Sequence, residues 1–198
     1  MRDTVSSLNE RIANRVRDLR ARQRLSLDVL AGRAGVSRSM ISLVERGESS
    51  PTAVVLEKLA AGLGVTLPAL FDGSEPRNEA VTPVCRRDEQ EEWQDPASGY
   101  RRRNVSPSGV PQPMRIVEVR FPPGARVAFE ASRRDLPVHQ QIWVLKGSME
   151  ITWGKERHRL NEGDCLAMHL DGPTMFHNPT RKPARYAVVI ETDKAPRR

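Results

Sequence analysis

Between positions 37 and 46 the chain places three hydroxyls, two guanidiniums and a leucine around a helical repeat. Met40, Ile41 and Val44 form the apolar stripe of that segment, and a helix that buries Ile41 and Val44 turns Arg38, Ser39, Ser42, Leu43 and Arg46 toward solvent. The residue types suit groove recognition. Arg38, near the helix start, can reach a guanine edge or a phosphate. Ser37 and the unbonded N–H groups of the first turn suit phosphate oxygens. Leu43 is out of place on a solvated helix and matches the methyl group of thymine. Arg46, at the far end, is placed for a backbone phosphate.

Short elements must carry this face. Ser26 is a candidate N-cap for a helix in which Leu27, Leu30, Ala31 and Ala34 recur, and Ser37 is the cap of the next one. The turn Gly35-Val36-Ser37 between them gives the supersecondary pattern of a DNA-binding helix-turn-helix. Upstream, Leu8, Ile12, Val16 and Leu19 predict an amphipathic helix over Leu8–Arg24. Downstream, Gly47 is expected to cap the recognition helix. Ser50 or Thr52 then starts a helix with Val55, Leu56, Leu59, Ala60 and Leu63, and Thr66 a last short one with Leu67, Leu70 and Phe71. The expectation is an all-helical domain of five short helices over residues 8–72.

The stretch SLDVLAGRAGVSRSMISLVERGESSPTAVVLEKLAAGLGVTLPALF resembles the Xre/Cro-like (phage-repressor type) helix-turn-helix family along its whole length. The resemblance implies base contacts from Arg38, Ser39 and Leu43, and phosphate contacts from Ser37, Arg46 and position 27. That family commonly has Gln at position 27, where this chain has Leu27. The resemblance also implies that Glu45 pairs with Arg20, and that the protein is a homodimer presenting two recognition helices to an operator.

Composition neither strengthens nor weakens this reading. The 198 residues carry a net charge of +7, but Lys and Arg exceed Asp and Glu by 11 to 8 in residues 1–72 and by 21 to 17 beyond, so the excess is not concentrated on the helical half. Cys85 and Cys165 lie 80 positions apart and make neither a disulfide framework nor a CxxC pair. No apolar run reaches membrane-spanning length and no signal region opens the chain, so the expected location is cytoplasmic, with no membrane partner.

After a polar linker over residues 73–79 the apolar period changes from 3.6 to 2. Val117, Val119 and Phe121 alternate with charges, as in a half-buried strand. Ile142-Trp143-Val144-Leu145 is a continuous apolar run that predicts a strand buried on both faces. Turn residues recur at Pro122-Pro123-Gly124, Lys146-Gly147, Gly154-Lys155 and Asn161–Asp164, and Tyr186–Ile190 forms a last apolar strand. This spacing predicts an all-β domain over residues 80–192, with a charged, disordered tail at 193–198.

PPGAR, IWVLKG, LNEGD and Asn178-Pro179 resemble the pieces of a small cupin barrel. In that family a His-x-His, a Glu and a His hold a metal. The matching positions here are Arg133, Arg134, Asp135 and Leu136, then Gln140, then Thr174, so the ligand set is absent while Gly147, Gly163, Asp164 and Asn178 remain. His139, His158, His169 and His177 show no recognised ligand spacing. The lining left by the resemblance is Gln140, Trp153, Met168, Thr174 and Phe176, which suits a small organic effector; the competing reading is a barrel filled by its own side chains. The expectation is therefore a cytoplasmic, homodimeric transcriptional regulator that binds double-stranded operator DNA. It would have no catalytic residues, metal or cofactor and no enzymatic activity. The alternatives are a metal-dependent cupin enzyme with a DNA-targeting domain and an antitoxin-type regulator.

Overall fold

A computed structural model describes residues 3–71, 82–107, 113–130 and 138–192. The expected linker at 73–79, the tail at 193–198 and the Arg133–Leu136 positions lie outside them. Contacts divide the chain into two compact units, the first of Met1–Cys85 with Pro107–Val110 and the second of Arg86–Ser106 with Pro111–Arg198.

The helical unit comprises α1 (Asp3–Arg22), α2 (Leu27–Ala34), α3 (Arg38–Glu45), α4 (Ala53–Gly62) and a 3-10 turn (Leu67–Leu70). α1 thus begins earlier than the expected Leu8. Caps set the internal boundaries: Ser26, Ser37 and Thr52 accept the N–H of Val29, Met40 and Val55, which assigns the α4 cap to Thr52 rather than Ser50. The fifth element is a correction, since among the described residues four α-helices are present rather than five. Thr66 makes no side-chain cap, Pro68 contributes no N–H, and the four residues Leu67–Leu70 stop at one 3-10 turn. Ile12, Val16, Leu30, Ile41, Val44, Leu56, Leu59, Leu63 and Leu70 form the buried core.

The β unit contains ten strands: β1 (Glu92–Gln94), β2 (Arg101–Asn104), β3 (Met114–Phe121), β4 (Arg126–Phe129), β5 (Val138–Lys146), β6 (Ser148–Trp153), β7 (Glu156–Asn161), β8 (Cys165–His169), β9 (Thr174–His177) and β10 (Ala184–Thr192). They form two antiparallel sheets, in the orders β1-β2-β3-β10-β5-β8 and β4-β9-β6-β7, and give a cupin-like fold. The run on β5 is not buried on both faces. Burial alternates strictly from Val138 to Val144, and Trp143 is 51% exposed, because the six-stranded sheet covers only one of its faces with core.

Two positions tie the β unit together. Asn178 is fully buried; its Nδ2 donates to the carbonyls of Phe121 and Lys182, and its Oδ1 accepts from the N–H and hydroxyl of Thr180. One side chain thus fixes the β9–β10 connection against the end of β3. Gly147 turns β5 into β6 at φ +82°, a conformation that strains any residue with a Cβ.

Among the described glycines of the helical unit the least room is at Gly62, the last residue of α4, where an added Cβ would come within 2.9 Å of the Ala34 Cβ on α2. Alanine normally stabilises a helix by about 1 kcal/mol over glycine, but overpacking costs about 1–3 kcal/mol. Gly62→Ala is therefore expected to destabilise the helical unit by up to about 2 kcal/mol, read as an earlier loss of helical ellipticity in a urea titration. A later loss would show that α2 and α4 separate without penalty.

Candidate nucleic-acid interface and barrel interior

α3 spans only eight residues, and both of its ends are fixed. Ser37 Oγ accepts the Met40 N–H at 3.2 Å and lies 3.2 Å from Ser39 Oγ. At the other end Arg46 is the C-cap and Gly47, at φ +70°, follows it. The Gly47 N–H bonds the Val44 carbonyl and the Glu48 N–H the Leu43 carbonyl, a Schellman closure one residue displaced from the glycine cap expected from sequence. Ile41 and Val44 are buried. Glu45 is buried beside them, where both its oxygens accept from Arg20 of α1: Nε to Oε1 at 2.6 Å and Nη2 to Oε2 at 2.8 Å. Arg20 Nη1 also donates to the Leu25 carbonyl, so one guanidinium joins α1, the entry to α2 and the end of α3. The Glu45 partnership, assisted by charge attraction, raises the Arg20 pKa further above its ordinary value.

The opposite side of α3 presents the residues singled out from the sequence. Ser37, Arg38, Ser39 and Arg46 are exposed, while Ser42 and Leu43 are half-buried. Leu43 is thus less open than a fully solvated helix face would make it, and Met40, placed in the inward stripe, is only half-buried. Both arginines have partners in their own unit. Arg38 Nε lies 3.4 Å from Asp28 Oδ1. Arg46 donates Nε and Nη2 to the two oxygens of Glu48, each at 2.8 Å, and Nη1 to Ser42 Oγ. The hydrogen bonds from Arg46 hold the Glu48 carboxyl below its ordinary pKa, and Glu48 in turn raises that of Arg46.

In the β unit, Gln140 and Met168 are register neighbours on β5 and β8, and both are buried. Thr174 is register neighbour to Trp153 across β9 and β6 and is buried; Phe176, two residues on, is buried as well. Trp153 is half-buried and donates its indole N–H to Asp171. Its ring centroid is 6.3 Å from that of His169, which follows Met168, so the Trp153–Thr174 pair sits at the same end of the fold as Gln140–Met168. Gln140 and Thr174 are only 7% and 4% exposed. Phe176 instead joins an aromatic chain, at 6.1 Å from Tyr186 and 6.0 Å from Phe129, which continues from Tyr186 through Phe121 and Tyr100 to Trp93. That end of the interior is filled by the protein's own rings.

Sequence reading missed Arg102. The run Arg101-Arg102-Arg103 reads as a charged approach to a loop, but it forms β2. Arg101 and Arg103 pair with Glu92 and Glu118, the second pair nearly buried, whereas Arg102 shares the opposite side with its register partners Trp93 and Val119 and is buried. Burial pushes the Tyr100 phenol up to about 12 against the opposing pull of Arg102, and it raises Tyr186 well above its ordinary value. The signal available was alternation: in a strand of three arginines the middle one must face away from its neighbours.

The histidines fall in separate places. His139 and His169 pair across β5 and β8 with ring centroids 4.3 Å apart. His177 Nδ1 lies 3.2 Å from Glu150. His158 lies within β7 opposite Ile151 and is half-buried. Among the described residues no three His, Cys, Asp or Glu groups gather as a metal site, and no helix is long and apolar enough to cross a membrane.

A family model described as a helix-turn-helix domain matches residues 11–72. The chain is similar to the HTH-type transcriptional regulator SutR of Escherichia coli (strain K12), with 43% identity over 54 residues that make up 27% of this chain and 30% of SutR. It is similar to the control protein C.MunI of Mycoplasma sp, with 33% identity over 72 residues, 36% of this chain and 97% of that protein. The match thus spans under a third of SutR. Among solved structures, an HTH_3 family transcriptional regulator from Vibrio cholerae shares the fold at a TM-score of 0.76 and 24% identity, covering 96% of this chain and 100% of its own. One expectation is corrected, the exclusion of enzymatic activity. Hydroxypropylphosphonic acid epoxidase from S. wedmorenis, an enzyme, aligns with 95% of this chain and 99% of its own, at a TM-score of 0.46 and 16% identity. So distant a likeness carries no chemistry to this chain, and the exclusion is withdrawn.

The Arg20–Glu45 pair has a measurable consequence. Removing one partner of a buried ion pair costs about 3–5 kcal/mol, but Arg20 keeps 19% of its side chain in solvent, which lowers the expected loss to about 2–3 kcal/mol. Glu45→Ala should show that loss in urea unfolding followed at 222 nm, and Glu45→Gln, which keeps one acceptor, a smaller one. An unchanged midpoint would show that α3 is held by its apolar face alone.

Proposed function

Because this chain belongs to the XRE-type helix-turn-helix family of transcriptional regulators, we propose that it binds operator DNA sequence-specifically, as a homodimer, through the solvent face of α3. The observation that carries the reading is the pairing of a rigid inner face with a polar outer one. Ile41, Val44 and Glu45 are buried, so Ser37, Arg38, Ser39, Ser42, Leu43 and Arg46 are the side chains left to meet a major groove. Arg38 is the candidate for a guanine edge, Ser39 and Leu43 for neighbouring base edges, and Ser37, Ser42 and Arg46 for phosphates. Residues 8–72 would form the DNA-binding domain and 80–192 the cupin-like domain. Two copies would set their recognition helices about 34 Å apart, one turn of the duplex, or a multiple of it. Access to DNA would place the protein in the cytoplasm.

The β unit is proposed as the controlling part. Gln140 and Thr174 are buried polar groups at one end of the interior. A few polar groups set among apolar side chains are how small-molecule pockets are composed, and a small organic effector would be oriented by Gln140 and Thr174 between Met168 and Trp153. Such a ligand would regulate by favouring the dimer geometry that matches, or misses, the half-site spacing.

The test begins with selection of bound sequences from a random duplex pool, followed by gel-shift titration on the selected operator. Arg38→Ala is expected to weaken operator binding by about 1–3 kcal/mol and to relax the preference at one base position. Unchanged affinity would remove Arg38 from the interface.

A further inference from the structure

The two guanidiniums assigned to the duplex are both engaged by carboxylates of their own unit, and this inference rests on the DNA-reading proposal above. Asp28 lies in the first turn of α2 and meets Arg38 in the first turn of α3. Glu48 lies just past α3 and holds Arg46 through both oxygens. The carboxylates therefore flank the proposed recognition surface at its two ends. None of the four groups is deeply buried: side-chain exposures are 66% and 77% for Arg38 and Asp28, and 50% and 54% for Arg46 and Glu48. Ion pairs this exposed contribute little to stability, so the fold does not account for them. They change what a guanidinium gains on meeting an anion.

A carboxylate offers a guanidinium the same two-oxygen, negatively charged acceptor that a phosphate does. We propose that Asp28 and Glu48 are specificity-determining residues that act as own-chain substitutes for phosphate, which DNA must displace. On a duplex of arbitrary sequence Arg38 and Arg46 exchange one anion for another, and the released carboxylates are left facing the phosphates. Most of the usual electrostatic gain of non-specific binding is cancelled. On the operator the exchange is offset by base-edge contacts that only the correct sequence supplies. The carboxylates thus lower affinity for all DNA and lower it least where bases are read, which widens the ratio between specific and non-specific binding.

The experiment uses the full chain and a fluorescent mixed-sequence 20-bp duplex, with affinity read by anisotropy from 50 to 200 mM salt. The set is wild type, Asp28→Asn, Arg38→Gln and the double variant, with the parallel set Glu48→Gln, Arg46→Gln and its double variant. Asp28→Asn and Glu48→Gln are each expected to bind the duplex about 1.5- to fivefold tighter at the lowest salt, the range of a released surface ion pair. The salt dependence should steepen by about one phosphate contact. In the Arg38→Gln or Arg46→Gln background the tightening should shrink to the smaller gain of removing a negative charge near the phosphates, since a double-mutant cycle isolates the pair. Equal tightening with and without the arginine would reduce the effect to removal of a distant charge and overturn the inference, as would no tightening in either set. Because Asp28 also sits at a helix N-terminus, the Glu48 set provides a result that does not depend on α2. The two arginine variants are also titrated against the selected operator: if Arg38→Gln and Arg46→Gln bind it as well as wild type, the DNA-reading proposal falls as well; if they lose operator binding while the carboxylate variants change nothing, only the present inference does.

Discussion

An eight-residue helix does not persist in water by itself, because nucleating two turns costs more than their few hydrogen bonds return. α3 exists because other elements hold it, and every feature of the helical unit can be traced to that requirement. Ile41 and Val44 bury its inner face, Ser37 and the Gly47 closure fix its ends, and Glu45 bonds it to Arg20. The ion pair adds direction to what burial alone leaves free. Apolar contacts tolerate some rotation about the helix axis, whereas two parallel N–H···O bonds at 2.6 and 2.8 Å do not. That limits where Arg38 and Arg46 can point, and a surface that reads bases by hydrogen-bond geometry requires such a limit.

Much of this unit was legible in the sequence, because its signals are local. Caps three residues ahead of their partners, glycines with positive φ and a 3.6 repeat are read without knowledge of the tertiary fold, and Ser26, Ser37, Gly35 and Gly47 all serve as their chemistry requires. The fifth helix was misread for an equally local reason: Thr66 and the apolar Leu67, Leu70 and Phe71 match a helix start, but four residues containing Pro68 close only a 3-10 turn.

The β unit was less legible, since a strand's burial depends on partners far away in sequence. The apolar run on β5 was read as doubly buried, yet only one face of its sheet meets core and Trp143 is left outside. β1 and β2 passed unnoticed because Trp93 and Tyr100 are the sparse apolar marks of a hairpin built mostly from charge. Only register shows that Arg102 shares a face with Trp93 and Val119 while its neighbours pair with Glu92 and Glu118 on the other face. The histidines give the same lesson, for His139 and His169, thirty positions apart, become ring neighbours through the pairing of β5 with β8.

Net charge is a poor guide to this protein, and the local geometry explains why. The +7 of the chain is spread over both halves, while the face proposed to meet DNA is close to electrically balanced, with Arg38 against Asp28 and Arg46 against Glu48. A strongly cationic face would bind any duplex and spend most of its time on the wrong one, because non-specific sites vastly outnumber operators. A balanced face gives up that general attraction and makes recognition depend on hydrogen bonds to base edges and on apolar contact at Leu43.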